Sequence, residues 1–433
     1  MKKSRSTKKL DVSASLLESE KVDSNPTLVP KLRFPEFRGS DEWTAKKVAN
    51  LVQLVSGIHL SPEQYGEVGS VPYFTGPSDF TNNTEDITKR TSDSTSLAKQ
   101  NDTLITVKGS GVGEIWYLTL PFVAIGRQLM ALRATDASCR FIYQFLLTKR
   151  QRFEDLATGN LIPGLSRGDI LELESHFPSL PEQQKIADCL SSLDELIGEQ
   201  GRKVDALRTH KKGLMQQLFP REGETQPQLR FPEFQDAGDW EMHPFEKYVM
   251  KSFYGTSSST SQTGKYPVLR MGNMVDGGID FTNLVYLDLE ADVFESFRLE
   301  KGDILLNRTN SPALVGKISM FDLKSDCITA SYIVTYRLHN KLLNPSFCNF
   351  LLNTPIYKVR IRSLAKPSVS QANINPTTFK KELIVTVPTI PEQQHIAACL
   401  SSLDDLITAE TQKLEALKTH KRGLMQQLFP SPE

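Results

Sequence analysis

Two segments, Leu180–Pro220 and Ile390–Pro430, agree at 28 of 41 positions and finish on the same eight letters, GLMQQLFP. Both carry apolar residues in alternating steps of four and three. In the first the positions are Ile186, Leu190, Leu193, Ile197, Gln200, Val204, Leu207, Lys211, Leu214 and Leu218. In the second they are Ile396, Leu400, Leu403, Ile407, Glu410, Leu414, Leu417, Lys421, Leu424 and Leu428. The seam is interrupted at the same two places in each copy, and such a heptad pattern is that of a coiled coil. The pattern predicts two long helices over 180–220 and 390–430, each about 60 Å long at about 1.5 Å per residue. Ser179-Leu180-Pro181-Glu182 and Thr389-Ile390-Pro391-Glu392 read as capping boxes with proline in the first turn. Pro220 and Pro430 stop the helices.

A globular stretch precedes each helix, so an antiparallel pairing of the two seams is expected, under a pseudo-twofold relation. One register of that pairing sets Lys211 beside Glu410 and Gln200 beside Lys421.

The duplication reaches beyond the helices. LRFPEF at 32–37 returns at 229–234, and Trp43 returns as Trp240. At 433 residues the chain suggests roughly two to four domains. The resulting order is a disordered tail at 1–28, a domain at 29–179, a helix at 180–220, a second domain at 221–389 and a helix at 390–430. The tail is basic, then Ser/Glu-rich, and has no signal-peptide core. No run of eighteen or more apolar residues is present, and none of the five cysteines falls in a CxxC pair. Reduced thiols and a cytoplasmic location are the expectation. The intervening domains alternate short apolar runs with turn residues, as in DTLITVKGSGVGEIWYL and GDILLNRTNSPALVGKISMF. The fold class expected is α+β, with two mixed, strand-rich domains joined by the antiparallel helices.

No catalytic constellation emerges. GSGVG at 109–113 fits neither GxGxxG nor GxxxxGK[ST], and is read as a tight β connection. Asn344-Pro345-Ser346-Phe347 resembles an adenine-methyltransferase signature but lacks a glycine-rich partner, and is read as a helix start. The histidines have no metal-ligand spacing.

Binding chemistry is better represented. Small polar residues, glycines and isolated cations follow the strand-like runs, and such side chains read base edges or hold phosphates. The candidates are Lys108, Ser110, Asn160 and Arg167 in the first domain. In the second they are Arg270, Asn273, Asn307, Arg308, Asn310, Lys366, Ser368, Ser370, Gln371 and Asn373. Basic clusters lie nearby, at Lys149, Arg150 and Arg152, and at Lys358, Arg360, Arg362 and Lys366. Residues 240–389 hold 17 basic and 13 acidic side chains, whereas 44–179 hold 13 and 14, so any basic surface is local.

LPEQQKIA at 180–187, IPEQQHIA at 390–397, the shared GLMQQLF endings and GDILLNR at 302–308 resemble the specificity subunit of Type I restriction–modification enzymes. SGIHLSPEQYG, VPYFTG and DTLITVKGSGVG look like one kind of target-recognition domain in that family. The resemblance covers roughly residues 30–430. It implies a non-catalytic DNA-binding subunit in which each domain reads one half of a bipartite, asymmetric site. The helices would set the unread spacer and dock two methyltransferase subunits, with restriction/translocase subunits joining them. S-adenosylmethionine, ATP and Mg would belong to those partners, and no cofactor to this subunit. A stand-alone DNA-binding regulator and a coiled-coil scaffold remain the alternatives.

Overall fold

The computed structural model describes residues 30–430 apart from 94, 160–163, 313, 324 and 368–370. The tail at 1–28, Asn160, Ser368 and Ser370 lie outside the described residues. The chain divides into two compact units, one of residues up to 198 together with 415 onward, the other of residues 199–414.

The first unit is built on an antiparallel four-stranded sheet in the order Val52–Ser56, Leu129–Ala134, Thr103–Thr106, Ile115–Tyr117. Thr103–Thr106 is buried along its whole length, so both of its faces are covered. Successive side chains point to opposite faces. Ile105 and Leu132 therefore pack against Phe141, Ile142 and Phe145 of the helix Cys139–Thr148. Leu104 and Ala131 turn the other way, onto Phe74, Val123 and Ile125. Those three belong to a five-stranded sheet in which Val71–Phe74 runs parallel to Phe122–Ile125.

The second unit repeats the plan. Its four-stranded sheet runs Val249–Tyr254, Ile333–Leu338, Asp303–Asn307, Ile318–Phe321. Ile304, Leu306 and Tyr336 pack on Phe347 and Leu351 of the helix Pro345–Leu352. Leu305, Phe321 and Ile333 face the opposite layer with Leu269 and Met274. Tyr266–Leu269 again pairs in parallel, here with Ile328–Thr329.

One glycine in each unit is forced by this plan. Gly57 donates its N–H to Leu129 O, and Gly255 donates to Ile333 O. At either position a Cβ would drive into backbone, that of Gly126 or of Thr329. The chain leaves the first strand of the sheet by passing directly against a neighbouring strand, and a bare backbone is needed there.

The helices form as the heptads predict, over Leu180–Leu218 and Ile390–Leu428. In the first unit Ile186, Ala187 and Leu190, near the start of one helix, share a core with Leu424, Met425, Leu428 and Phe429 at the end of the other. In the second unit Ile396, Ala397 and Leu400 do the same with Leu214, Met215, Leu218 and Phe219. Starts thus meet ends, and the pairing within each unit is antiparallel. All sixteen apolar seam positions are buried or half-buried.

The register differs from the expected one. Gln200 lies against its own repeat counterpart, its Nε2 donating to Glu410 Oε2 at 2.6 Å and to Glu410 O at 2.9 Å. Lys203 adds an ion pair to the same carboxylate. Lys211 pairs with Asp404 rather than Glu410, and Lys421 pairs with Asp194 rather than facing Gln200. Each seam lysine is largely covered, and the nearest carboxylate one position outside the seam takes its charge. Lys211 Nζ also lies 5.2 Å from the centre of the Phe350 ring.

The capping boxes are also corrected. Glu182 is 1% exposed and accepts from Arg33 Nε at 2.8 Å, from Arg33 Nη2 at 2.7 Å and from Trp43 Nε1 at 3.3 Å. Glu392 accepts from Arg230 and Trp240 with the same geometry. Next to them, Gln183 Oε1 accepts from Ser138 N at 3.0 Å, and Gln393 Oε1 accepts from Asn344 N at 2.8 Å. Ser138 and Asn344 are the N-caps of the helices Cys139–Thr148 and Pro345–Leu352. The repeated PEQQ, LRFPEF and Trp are therefore one device. It locks the base of each long helix to its own domain. Asn344 caps through Phe347 N, so Asn-Pro-Ser-Phe is a helix start, as read from the sequence.

Candidate nucleic-acid interface

The two units can be matched residue by residue through their hydrogen bonds. Thr106 N donates to Glu114 O and its own carbonyl accepts from Gly113 N, while Asn307 N donates to Lys317 O and its carbonyl accepts from Gly316 N. Val107 O accepts from Leu165 N, and Arg308 O accepts from Ile374 N, each at 2.8 Å. Gly113 and Gly316 both hold positive φ, at 90° and 83°. Thr106 thus corresponds to Asn307, Val107 to Arg308 and Leu165 to Ile374. The loops singled out by their polar, glycine-flanked composition leave equivalent strands, and GSGVG is the connection between two strands, as expected.

In the second unit these loops enclose a cleft of about 770 Å³. Three stretches line it, Arg270–Asn273, Asp280 with Thr282 and Asn283, and Thr309–Ser311, together with the single residues Tyr332 and Gln371. The cleft therefore gathers Arg270, Asn273, Asn310 and Gln371 from the sequence candidates. Arg270 is exposed and donates from Nη2 to Asn283 O at 2.8 Å, which leaves its remaining donors to the cleft. Asn310 takes the Ser311 amide on its Oδ1 at 2.7 Å. Lys366 and Asn373 pair with each other in the small sheet Thr309–Asn310, Ala372–Ile374, Ala365–Pro367 at the edge of the cleft. Lys366 is exposed.

Two candidates turn inward. Asn273 is 4% exposed. It takes Arg270 N on Oδ1 and donates to Asp280 O and Thr282 O, so it sets the shape of the loop that presents Arg270. Asn307 is fully buried and donates to Leu314 O at 3.1 Å. Both are asparagines that shape the loop they bond to.

In the first unit Lys108 and Ser110 are exposed on the turn after Thr103–Thr106. Arg167 opens the short helix Arg167–Leu171, whose N-cap is Ser166. Its guanidinium donates to Ser56 Oγ at 2.8 Å and to Leu54 O at 3.4 Å. Thr75, Asp79 and Lys89 form a linked hydrogen-bonded set beneath the adjoining loop. These contacts hold the Asp79 carboxyl below its ordinary value against the opposing effect of burial, which is the largest single influence.

The basic clusters differ in availability. Arg150 is taken by Glu114 and Glu154, and Lys149 is half-buried over Phe145, with its ammonium pushed below the ordinary lysine value by burial and by Arg152. Lys358, Arg362 and Lys366 are exposed in the second unit.

Sequence reading missed Asn283, Thr282 and Tyr332 in the cleft. It also missed Arg133–Asp102 and Arg337–Asp303, which brace equivalent strand pairs at 2.8 Å. The matched Asp at the head of each central strand was the available signal.

Among the described residues no helix is long and apolar enough to cross a membrane, and no group of three or more His, Cys, Asp or Glu could hold a metal ion.

A family model, the type I restriction modification DNA specificity domain, matches residues 40–205 and again 248–419. The type I restriction enzyme MjaVIII specificity subunit of Methanocaldococcus jannaschii is 23% identical over 340 residues, covering 77% of this chain and 79% of that one. A protein of the same organism named for MjaX as a specificity subunit is 29% identical over 195 residues, and there the chain spans 45% of the relative's length. The crystal structure of a Type I restriction–modification S subunit from M. genitalium matches with a TM-score of 0.62 at 20% identity, over 94% of this chain and 100% of that one. A chain from a structure of type I R-M complex assembly and conformational transition matches with a TM-score of 0.52 at 14% identity, over 90% of this chain and 98% of that one.

Proposed function

We propose a function from one premise: the chain belongs to the family of type I restriction modification DNA specificity domains, whose model it matches twice. The chain is the DNA-reading subunit of a Type I restriction–modification complex. Each unit reads one half of a bipartite, asymmetric site, and the paired helices set the length of the unread spacer. The helices also dock two methyltransferase subunits, and restriction/translocase subunits join that core. S-adenosylmethionine, ATP and Mg act on those partners, and this chain contributes recognition without catalysis.

The observation that carries the reading is the contrast between scaffold and loops. The same buried Glu–Arg–Trp anchor and the same sheet order recur in both units. The cleft loops of the second unit, with Arg270, Asn310 and Gln371, have no sequence counterpart in the first. A fixed frame with differing loops suits two readers of different sequences. Arginine and the side-chain amides can each make two hydrogen bonds to a base edge in the major groove.

Replacing residues 241–389 by the matching domain of another family member is the test. In a host that also supplies the methyltransferase subunits, methylome sequencing should show one half-site changed and the other kept. A change in both halves overturns the two-reader assignment.

A further inference from the structure

The two units bring a guanidinium to the same point from different places in the chain. Ser56 and Tyr254 are equivalent, each being the last residue of the first sheet strand, just before Gly57 or Gly255. In the first unit Arg167 reaches that point and is held by Ser56 Oγ and Leu54 O. Its counterpart in the second unit is Pro376, two residues beyond Ile374 as Arg167 is two beyond Leu165. There the guanidinium comes instead from Arg308, whose carbon lies 5.3 Å from the centre of the Tyr254 ring, while Lys380, four residues beyond Pro376, donates to Ser252 Oγ on the same strand. The first unit has the apolar Val107 at the position of Arg308. Each unit thus has one arginine at this point, supplied from opposite members of a pair of equivalent positions. Neither guanidinium is paired with a carboxylate among the described residues, in contrast to Arg133 and Arg337 on the same sheets.

We infer that Arg167 and Arg308 are counterparts, each gripping a backbone phosphate of the DNA that its unit reads. The inference rests on the DNA-reading role proposed above. The reason for phosphate rather than a base is the swap itself. A base reader has no need to keep its place when the half-site differs, whereas every half-site presents phosphates. Both arginines are held by neutral groups, a hydroxyl and carbonyl in one case and an aromatic face in the other, so their charge is not cancelled.

The test uses the full chain and a duplex that the wild-type chain selects from a randomised library. Binding is measured across salt concentrations for R167A, R308A, R308K and the double variant R308A/P376R. Each alanine variant should weaken binding roughly ten-fold. Each should also reduce the slope of log K against log salt by about 0.9, the release expected for one phosphate. R308K should keep the slope, because a point charge suffices for a phosphate. R308A/P376R should recover it, by restoring the guanidinium from the first unit's position. Reselection with R167A or R308A should return the wild-type sequence.

Relaxed sequence at one half-site would make the arginine a base reader and overturn the inference, as would an unchanged salt slope. Should R308A fail to fold, loss of slope in R308K overturns it equally. If the wild-type chain selects no duplex, the DNA-reading role itself fails.

Discussion

Glu182→Ala tests what joins each long helix to its domain. The Glu182 and Arg33 side chains are 1% and 8% exposed, and Glu392 and Arg230 have the same values. Removing the carboxylate leaves the Arg33 guanidinium with two backbone acceptors, Ser40 O and Asp41 O, and without its buried, hydrogen-bonded counter-charge. The indole N–H of Trp43, itself 2% exposed, loses its acceptor as well. Breaking one side of a buried pair costs about 3–5 kcal/mol. In a unit of this size each kcal/mol lowers the melting temperature by about 2–4 °C. The expected fall is therefore of order 10 °C. Because the geometry repeats, Glu392→Ala should cost a similar amount. Scanning calorimetry with hydrogen exchange read by unit is the assay: E182A should weaken protection in residues 30–198 first, and E392A in residues 199–414 first. Arg33→Ala combined with E182A should cost much less than the sum of the two single changes, since both remove one interaction. Additive single and double variants, or an E182A melting within about 2 °C of wild type, would refute a shared anchor and reduce the PEQQ repeat to a record of duplication.

Two further expectations concern the helices. Lys203 and Gln200 hold the Glu410 carboxyl below its ordinary value. A carboxyl lowered in the folded state contributes stability that is present above about pH 4.5, its ordinary value, and is lost as pH falls through the lowered one. Glu410→Gln should therefore flatten the acid side of the stability profile followed by circular dichroism, and an unchanged acid limb would count against the contact. Inserting four residues after Gln200 and four after Glu410 lengthens each helix by about one turn, or ~5.4 Å. Methylation mapping should then return both half-sites intact with a spacer longer by one or two base pairs, and an unchanged spacer would remove the ruler from the proposed function.

The helices were legible in the sequence because a heptad is a local signal, repeated five times and then printed again. Their direction followed from chain connectivity. Their register did not, because the apolar positions alone allow more than one alignment of two heptad seams. The choice is made by Lys211 with Asp404 and Lys421 with Asp194, and those aspartates sit just outside the seam, where a pattern of apolar positions does not look. The buried anchor failed to show for a similar reason. Serine, proline and glutamate at a helix start fit a local capping box, and only the third dimension brings Arg33 and Trp43 to the same carboxylate.

The candidate site shows the limit of composition most sharply. Asn273 and Asn310 both line the cleft from similar polar loops, yet Asn273 is spent on three backbone partners, whereas Asn310 takes the next residue's amide and donates to Met271 Sδ. An asparagine that shapes a loop and one that reads a base have the same letter and the same kind of neighbours. What separates them is which backbone groups come within reach once the sheet has formed. Arg167 and Arg308 carry the point further. The hydrogen-bond register of the two sheets sets one opposite a proline and the other opposite a valine, and the counterpart role proposed for them rests on where their side chains reach, not on matched positions. In a duplicated chain of this kind, matching the halves by backbone pairing identifies equivalent positions, such as Val107 and Arg308, that matching them by letters would discard.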